Sequence, residues 1–230
     1  MAFAVTLGEM VTSCQQLANQ PGGEKLDVTE WKSHISTHYG RIHSVVSNTA
    51  AWCFKTEATI NLSNLAMPSD HKSTIGVDFV LDSSGRRREL PELMVQERNI
   101  FRATTGEARA WSFSGTSLEL WPTPTSGTYK HLYVPQPTRY NTSVDATSID
   151  FLTTDGYEAV MWGVTSVALH RSESAQQRAL GEAKAALDRL KGWAVQRALT
   201  QPKRQIIRDV DARPWDINGA WNPASWIFNR

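Results

Sequence analysis

The hydrophobic period of this chain changes twice. Up to about residue 50 apolar residues recur every three or four positions, from Phe54 to Val134 they alternate in short runs, and from Tyr157 to Ala198 the helical spacing returns. Helices at both ends with strands between them read as an α+β fold.

Within the first part, Thr6-x-x-Glu9 has the form of a capping box, in which the threonine hydroxyl accepts from a free backbone N–H and the glutamate reaches back to the cap. Leu7, Met10, Val11, Cys14, Leu17 and Ala18 then share one face, so a helix is expected over Thr6 to Asn19, closed by Gln20-Pro21-Gly22-Gly23. A second helix is expected from Asp27 or Thr29 to about Thr49, carrying Trp31, Ile35, Ile42, Val45 and Val46, and the short link predicts an antiparallel pair.

Phe54 to Leu62 alternates and predicts a half-buried strand. Ile75 to Leu81 predicts another, turning at Asp82-Ser83-Ser84-Gly85 and returning through Arg86 to Leu90. Pro91-Glu92-Leu93 has the form of a first helical turn, with a short helix expected to about Ala103. Ala108 to Phe113, Ser117 to Trp121 and Thr128 to Val134 predict three strands whose short links favour an antiparallel meander. Pro135 to Ile149 is polar and proline-broken, and a loop is expected there. Two helices follow, Tyr157 to about His170 and Ala175 to Ala198, the second with Ala179, Ala183, Ala186, Leu187, Leu190 and Ala194 as a narrow apolar stripe. Trp31, Trp111, Trp121, Trp162 and Trp193 fall inside these elements and are expected in a core or an interface. Residues 203 to 230 show no period, yet carry Trp215, Trp221 and Trp226, and large aromatics argue against a free solvated tail: either the segment folds back onto its own domain or its tryptophans dock into another subunit.

Composition narrows the function. Lys+Arg 24 against Asp+Glu 23 leaves a net charge of +1, which argues against a surface built throughout to neutralise phosphates. Cys14 and Cys53 lie far apart in apolar settings, without zinc or disulfide spacing, and read as small hydrophobes. The N-terminus lacks the form of a secretory signal and no stretch is long enough to cross a bilayer, so a protein made in the cytoplasm and not membrane-bound is expected.

Chemical motifs are sparse. His34 and His38 stand at the i, i+4 spacing of zinc proteases, but Ile35 occupies the position of the glutamate that activates the metal-bound water, so ordinary surface or interface histidines are expected. Arg86, Arg87 and Arg88 are candidates for contact with DNA or a partner, against the simpler reading of a solvated hairpin tip. Asp209, Asp211 and Asp216 offer carboxylates to a magnesium ion, but in a segment without a regular element to hold them rigidly. No phosphate-binding loop, dinucleotide fingerprint or nucleophile elbow is present. From the residues alone, no cofactor, no metal and no enzymatic activity are expected.

The order of parts resembles the tailed-bacteriophage head-to-tail adaptor proteins. The resemblance is carried by the N-terminal Thr6-Leu7-x-Glu9-Met10 helix, the Trp52-Cys53-Phe54 strand entry, the Met67-Pro68-Ser69-Asp70 turn and, most specifically, Leu118-Glu119-Leu120-Trp121-Pro122-Thr123-Pro124. After it come Tyr129-Lys130-His131-Leu132-Tyr133-Val134-Pro135-Gln136-Pro137 and the helix at Tyr157-Glu158-Ala159-Val160-Met161-Trp162. The likeness spans roughly residues 5 to 200. It implies a helical bundle from residues 1–53 and 151–201 and an inserted antiparallel β-rich domain over 54–150; residues 202–230, outside the likeness, read from their aromatic content as an extended C-terminal arm. It further implies a homo-oligomeric ring, about twelve copies, placed beneath the portal in the virion neck, contacting portal and tail or neck proteins, with DNA passing through without sequence-specific binding. On that reading Ile206, Ile207, Arg208, Arg213, Trp215, Trp221, Trp226 and Phe228 are expected at an interface with the portal or a neighbouring subunit. A stopper or tail-tube component, and more remotely a virion-associated cell-wall hydrolase, are the alternatives.

Overall fold

The structure, a computed structural model, describes residues 3–18, 26–93, 105–115, 117–169 and 172–200. In chain order these form β1 (Phe3–Thr6), α1 (Leu7–Ala18), α2 (Val28–Thr49), a 3-10 turn (Ala51–Phe54), β2 (Thr56–Thr59), β3 (His71–Val80) and β4 (Arg87–Leu90). Then follow β5 (Ala110–Ser114), β6 (Ser117–Trp121), β7 (Thr128–Pro135), β8 (Ser148–Phe151), α3 (Thr154–Ala168) and α4 (Glu173–Thr200). The chain is α+β with antiparallel sheets.

Both N-terminal helix starts are capped reciprocally. Thr6 N–H donates to Glu9 Oε2 at 2.9 Å while Glu9 N–H donates to the Thr6 hydroxyl at 3.2 Å. At α2 the cap is Asp27 rather than Thr29, with Glu30 N–H on Asp27 Oδ1 at 2.7 Å and Asp27 N–H on Glu30 Oε2 at 2.8 Å. The apolar stripe of α1 is buried against Trp31 and Ile35 of α2 and Val160, Val164 and Ala168 of α3. Cys14 lies in this core, where burial pushes its thiol up to about 12. Cys53, in the 3-10 turn, is only half-buried. A second patch packs Leu190 and Ala194 of α4 on Val46 and Ala50 of α2, so α3 touches α1, α2 and α4 while α4 closes on the end of α2.

Four expectations change. The loop expected over Pro135 to Ile149 gives way at its end to β8, which pairs with β1 from Phe3↔Phe151 to Thr6↔Ser148 and places Ile149 and Phe151 in the helical core. Pro91-Glu92-Leu93 is not a helical turn: Glu92 bridges Trp111, Trp111 N–H donates to Pro91 O and Leu93 N–H to Trp111 O. The rest of that expected helix lies outside the described residues. The expected strand from Phe54 shortens to Thr56–Thr59, since Ala51–Phe54 close a 3-10 turn. The meander does not form either. The β5–β6 hairpin stands as its own sheet, and β7 inserts between β2 and β3 in the order β2-β7-β3-β4. The reason is burial: Tyr129, His131, Leu132, Tyr133 and Val134 are all buried, so β7 needs cover on both faces and a neighbour on both edges. The hairpin then packs over the sheet, with Trp111, Leu118 and Leu120 against Ile60, Val77, Leu90 and Tyr129. Trp31 and Trp111 are buried in the two cores, while Trp121, Trp162 and Trp193 are half-buried.

Helical glycines give a test of this packing. A Cβ on Gly163 of α3 would meet the His38 ring of α2 at 2.5 Å, whereas one on Gly181 or Gly192 of α4 meets nothing among the described residues within 4 Å. Gly181→Ala and Gly192→Ala should each stabilise the chain by about 1 kcal/mol through helix propensity alone. Gly163→Ala should instead destabilise it by about 1–2 kcal/mol through the forced displacement of the ring. In a His38→Ala background the same Gly163→Ala change should become stabilising; equal urea midpoints for Gly163→Ala and Gly181→Ala would contradict the contact.

Candidate interaction surfaces

The arginine turn is built by its first residue. Asp82 Oδ1 accepts from Ser84 N–H at 3.0 Å and Arg86 N–H at 3.2 Å, and Gly85 takes φ +82°, a conformation that suits glycine. Each of the three guanidiniums then faces a carboxylate. Arg86 folds back on Asp82, and Arg87 Nη1 reaches across the sheet face to Glu57 Oε1 at 2.9 Å, with Asp78 at 3.9 Å. Arg88 pairs with Glu107 and lies over the Phe79 ring, 5.3 Å from its centroid. The hydrogen bond from Arg87 holds the Glu57 carboxyl below the usual range. A phosphate approaching this turn competes with three carboxylates already in place.

His34 and His38 share α2 but not an environment. His38 is turned onto Gly163, and burial, with Arg41 and His34 nearby, pushes its pKa down to about 4. No cluster of three or more potential metal ligands occurs among the described residues. Asp209, Asp211 and Asp216 lie outside the described residues, as do Ile206, Ile207, Arg208, Arg213, Trp215, Trp221, Trp226 and Phe228.

The register of β3 on β7 creates a polar seam that no sequence motif announces. The Thr74 hydroxyl sits between two imidazoles, 3.0 Å from His71 Nε2 and 2.8 Å from His131 Nε2. The hydroxyl has a single proton to give, so at least one of the two imidazoles donates its Nε2–H to the Thr74 oxygen. The His131 ring stacks on His71 at 5.3 Å and on Tyr133 at 5.2 Å, and the Tyr133 hydroxyl donates to Asp70 Oδ1 at 3.0 Å. His131 is 2% exposed and burial pushes its pKa down to about 4. Some 60 residues separate His71 from His131, so only pairing of the two strands reveals the cluster. The seam offers directional bonds that fasten β3 to β7.

The remaining surfaces are geometric. Among the described residues β2 and β4 terminate the four-stranded sheet, each with an outer strand edge. On the helical side, Leu180, Val195 and Leu199 of α4 are exposed, Leu199 by 80%. No helix among the described residues is long and apolar enough to cross a membrane.

The comparisons with known proteins fit this architecture. No curated protein matches the chain. The family described as SU10 adaptor protein matches residues 5–209, a stretch that takes in the four described helices and the described strands from β2 onward. The chain therefore belongs to the SU10 adaptor protein family, a family of bacteriophage head-to-tail adaptors.

Proposed function

We propose that the protein assembles as a homo-oligomeric ring, about twelve copies, beneath the portal, joining head to tail and continuing the DNA channel. The observation that carries this reading is the family match running through the helices at both ends and the strands between them. Family membership gives a structural role in the virion neck in association with portal and tail. In this reading residues 1–53 and 151–201 form a helical body, 54–150 a β-rich insertion, and 202–230 an arm.

A closed ring uses heterologous contacts, each copy presenting one surface to a different surface of the next. The outer edges of β2 and β4 and the outward face of α4 supply such surfaces. The arm, with Ile206, Ile207, Arg208, Arg213, Trp215, Trp221, Trp226 and Phe228, anchors the ring to the portal or a neighbour by burying its aromatics. The net charge of +1 and the internally paired Arg86, Arg87 and Arg88 suit a channel through which DNA slides without being held.

Co-sedimentation of the purified chain with portal rings of the same virus tests this, using the full-length protein and a form cut after Pro202. The full-length chain should add a layer to the portal, visible by imaging the pellet, and the cut form should stay in the supernatant. Absence of binding by both forms would move the protein to a stopper or tail-tube position. Equal binding by both would refute the anchoring arm.

A further inference from the structure

One groove on the helical body has a chemistry of its own. It measures about 620 Å³ and lies between the Ser33, Thr37 and Gly40 side of α2 and the 136–141 segment that leaves β7, with Lys72 at the start of β3 and Arg139 in its lining. The segment is tied to the helix by Tyr140 N–H on the Ser36 hydroxyl at 3.2 Å. No aspartate or glutamate among the described residues lines the groove. The Lys72 ammonium donates only to hydroxyls, Ser47 at 2.9 Å and Ser44 at 3.2 Å, and neither it nor Arg139 makes an ion pair among the described residues. Burial pulls the Lys72 pKa down, as expected of an ammonium that has lost water without gaining a counter-charge. Two cations, hydroxyls and amides with no anion among them form a receptor for carboxylates on an extended chain.

The nearest source of such carboxylates is the chain itself. Leu190, Ala194 and Ala198 of α4 pack on Val46, Ala50 and Trp52, so α4 ends beside the C-terminal end of α2. From Ala50 back to Thr37 is about 20 Å along the helix axis. Residues 201–208 span up to about 27 Å when extended, enough to deliver Asp209 to the groove of the same copy. Asp209 and Asp211 are two apart, so in an extended chain they point to the same side about 7 Å from each other, with Val210 facing away.

We propose that this groove docks residues 209–216 of its own chain, where Asp209, Asp211 and Asp216 outnumber Arg213, with Asp209 and Asp211 answering Lys72 and Arg139. The proposal rests on the reading of residues 202–230 as an arm and gives that arm a fixed origin. Trp221, Trp226 and Phe228 then project from a docked root, which spends less ordering entropy at the partner than a wholly free tail would.

Cross-linking the full-length chain tests it. In a Cys53→Ser background, Thr37→Cys is paired with Val210→Cys, which leaves both carboxylates intact, or with Ser225→Cys as a control further along the same tail. With a short bismaleimide the Thr37–Val210 pair should form an intrachain product about fivefold faster than the control, the factor two exposed ion pairs supply together. Arg139→Glu should remove that advantage, and Arg139→Glu with Asp211→Arg should restore it. Equal rates for the two pairs, indifference to charge reversal, or product only between two chains would each overturn the docking. So would retardation of a short duplex DNA that Arg139→Glu abolishes while cross-linking stays charge-independent, which would make the groove a phosphate site. The same variants in the portal assay separate the two readings: cross-linking without arm-dependent portal binding refutes the anchor alone, and portal binding without cross-linking refutes the docking alone.

Discussion

Replacing Tyr129 by alanine is expected to cost about 3–5 kcal/mol, read as a fall in the urea midpoint at unchanged slope. The side chain is fully buried where the sheet meets the β5–β6 hairpin, in one cluster with Ile60, Val77, Leu90, Trp111, Leu118 and Leu120. Its ring lies 5.0 Å from that of Phe79, and its hydroxyl accepts from Ala108 N–H at 2.9 Å, just before the hairpin begins. Gly127 cooperates: at φ +102° it tolerates a turn that strains other residues, and a Cβ there would meet the Phe79 ring at 2.9 Å and the Tyr129 ring at 3.3 Å. Tyr129→Phe keeps the ring and removes only the oxygen, leaving the Ala108 N–H unpaired at a cost of about 1–3 kcal/mol. A loss below about 1 kcal/mol for Tyr129→Ala would mean that the hairpin is held mainly by its backbone bridges to Leu65 and Pro91 rather than by this side chain.

What the sequence discloses follows from how local the determining forces are. The helix starts were readable because Thr6 with Glu9, and Asp27 with Glu30, satisfy each other's backbone within four residues. The α4 stripe was readable too: Ala179, Ala186, Leu190 and Ala194 are its buried positions. β8 was not, because Ser148-Ile149-Asp150-Phe151 alternates over only four residues and finds its partner, β1, at the opposite end of the chain. Pro91-Glu92-Leu93 carries a genuine local preference for a helix start, and the bridge to Trp111 overrides it. The place of β7 was hidden in its burial on both faces, which an expectation of sequential neighbours does not weigh. The groove and the histidine seam were illegible for the same reason, since both are assembled from α2, β3 and the chain around β7.

Acid should weaken the fold well before its carboxylates titrate. His38, His43 and His131 are each held at about 4 against an ordinary 6.5, first by burial and then by neighbouring cations or imidazoles: Arg41 and His34 for His38, Lys72 for His43, His71 for His131. Above pH 6.5 both the folded and unfolded chains hold these rings neutral and stability is flat. Between 6.5 and about 4 the unfolded chain takes up protons that the folded chain refuses, so stability falls with falling pH by about 1.4 kcal/mol per unit for each histidine. Asp82, lowered to about 2 by its bonds to Ser84 and Arg86, acts only below this window. Urea midpoints measured from pH 7.5 to 4.5 should therefore drop steeply below 6.5. His43 identifies the cause, because its Nδ1 is buried without a partner among the described residues and its ring stacks on Phe54 at 4.0 Å. His43→Phe preserves the stacking and removes both the orphan nitrogen and one titrating site. It should raise the midpoint at neutral pH and lessen the acid slope without abolishing it, since His38, His131 and the likewise lowered His71 still titrate, whereas a slope unchanged by the substitution would place the acid sensitivity elsewhere.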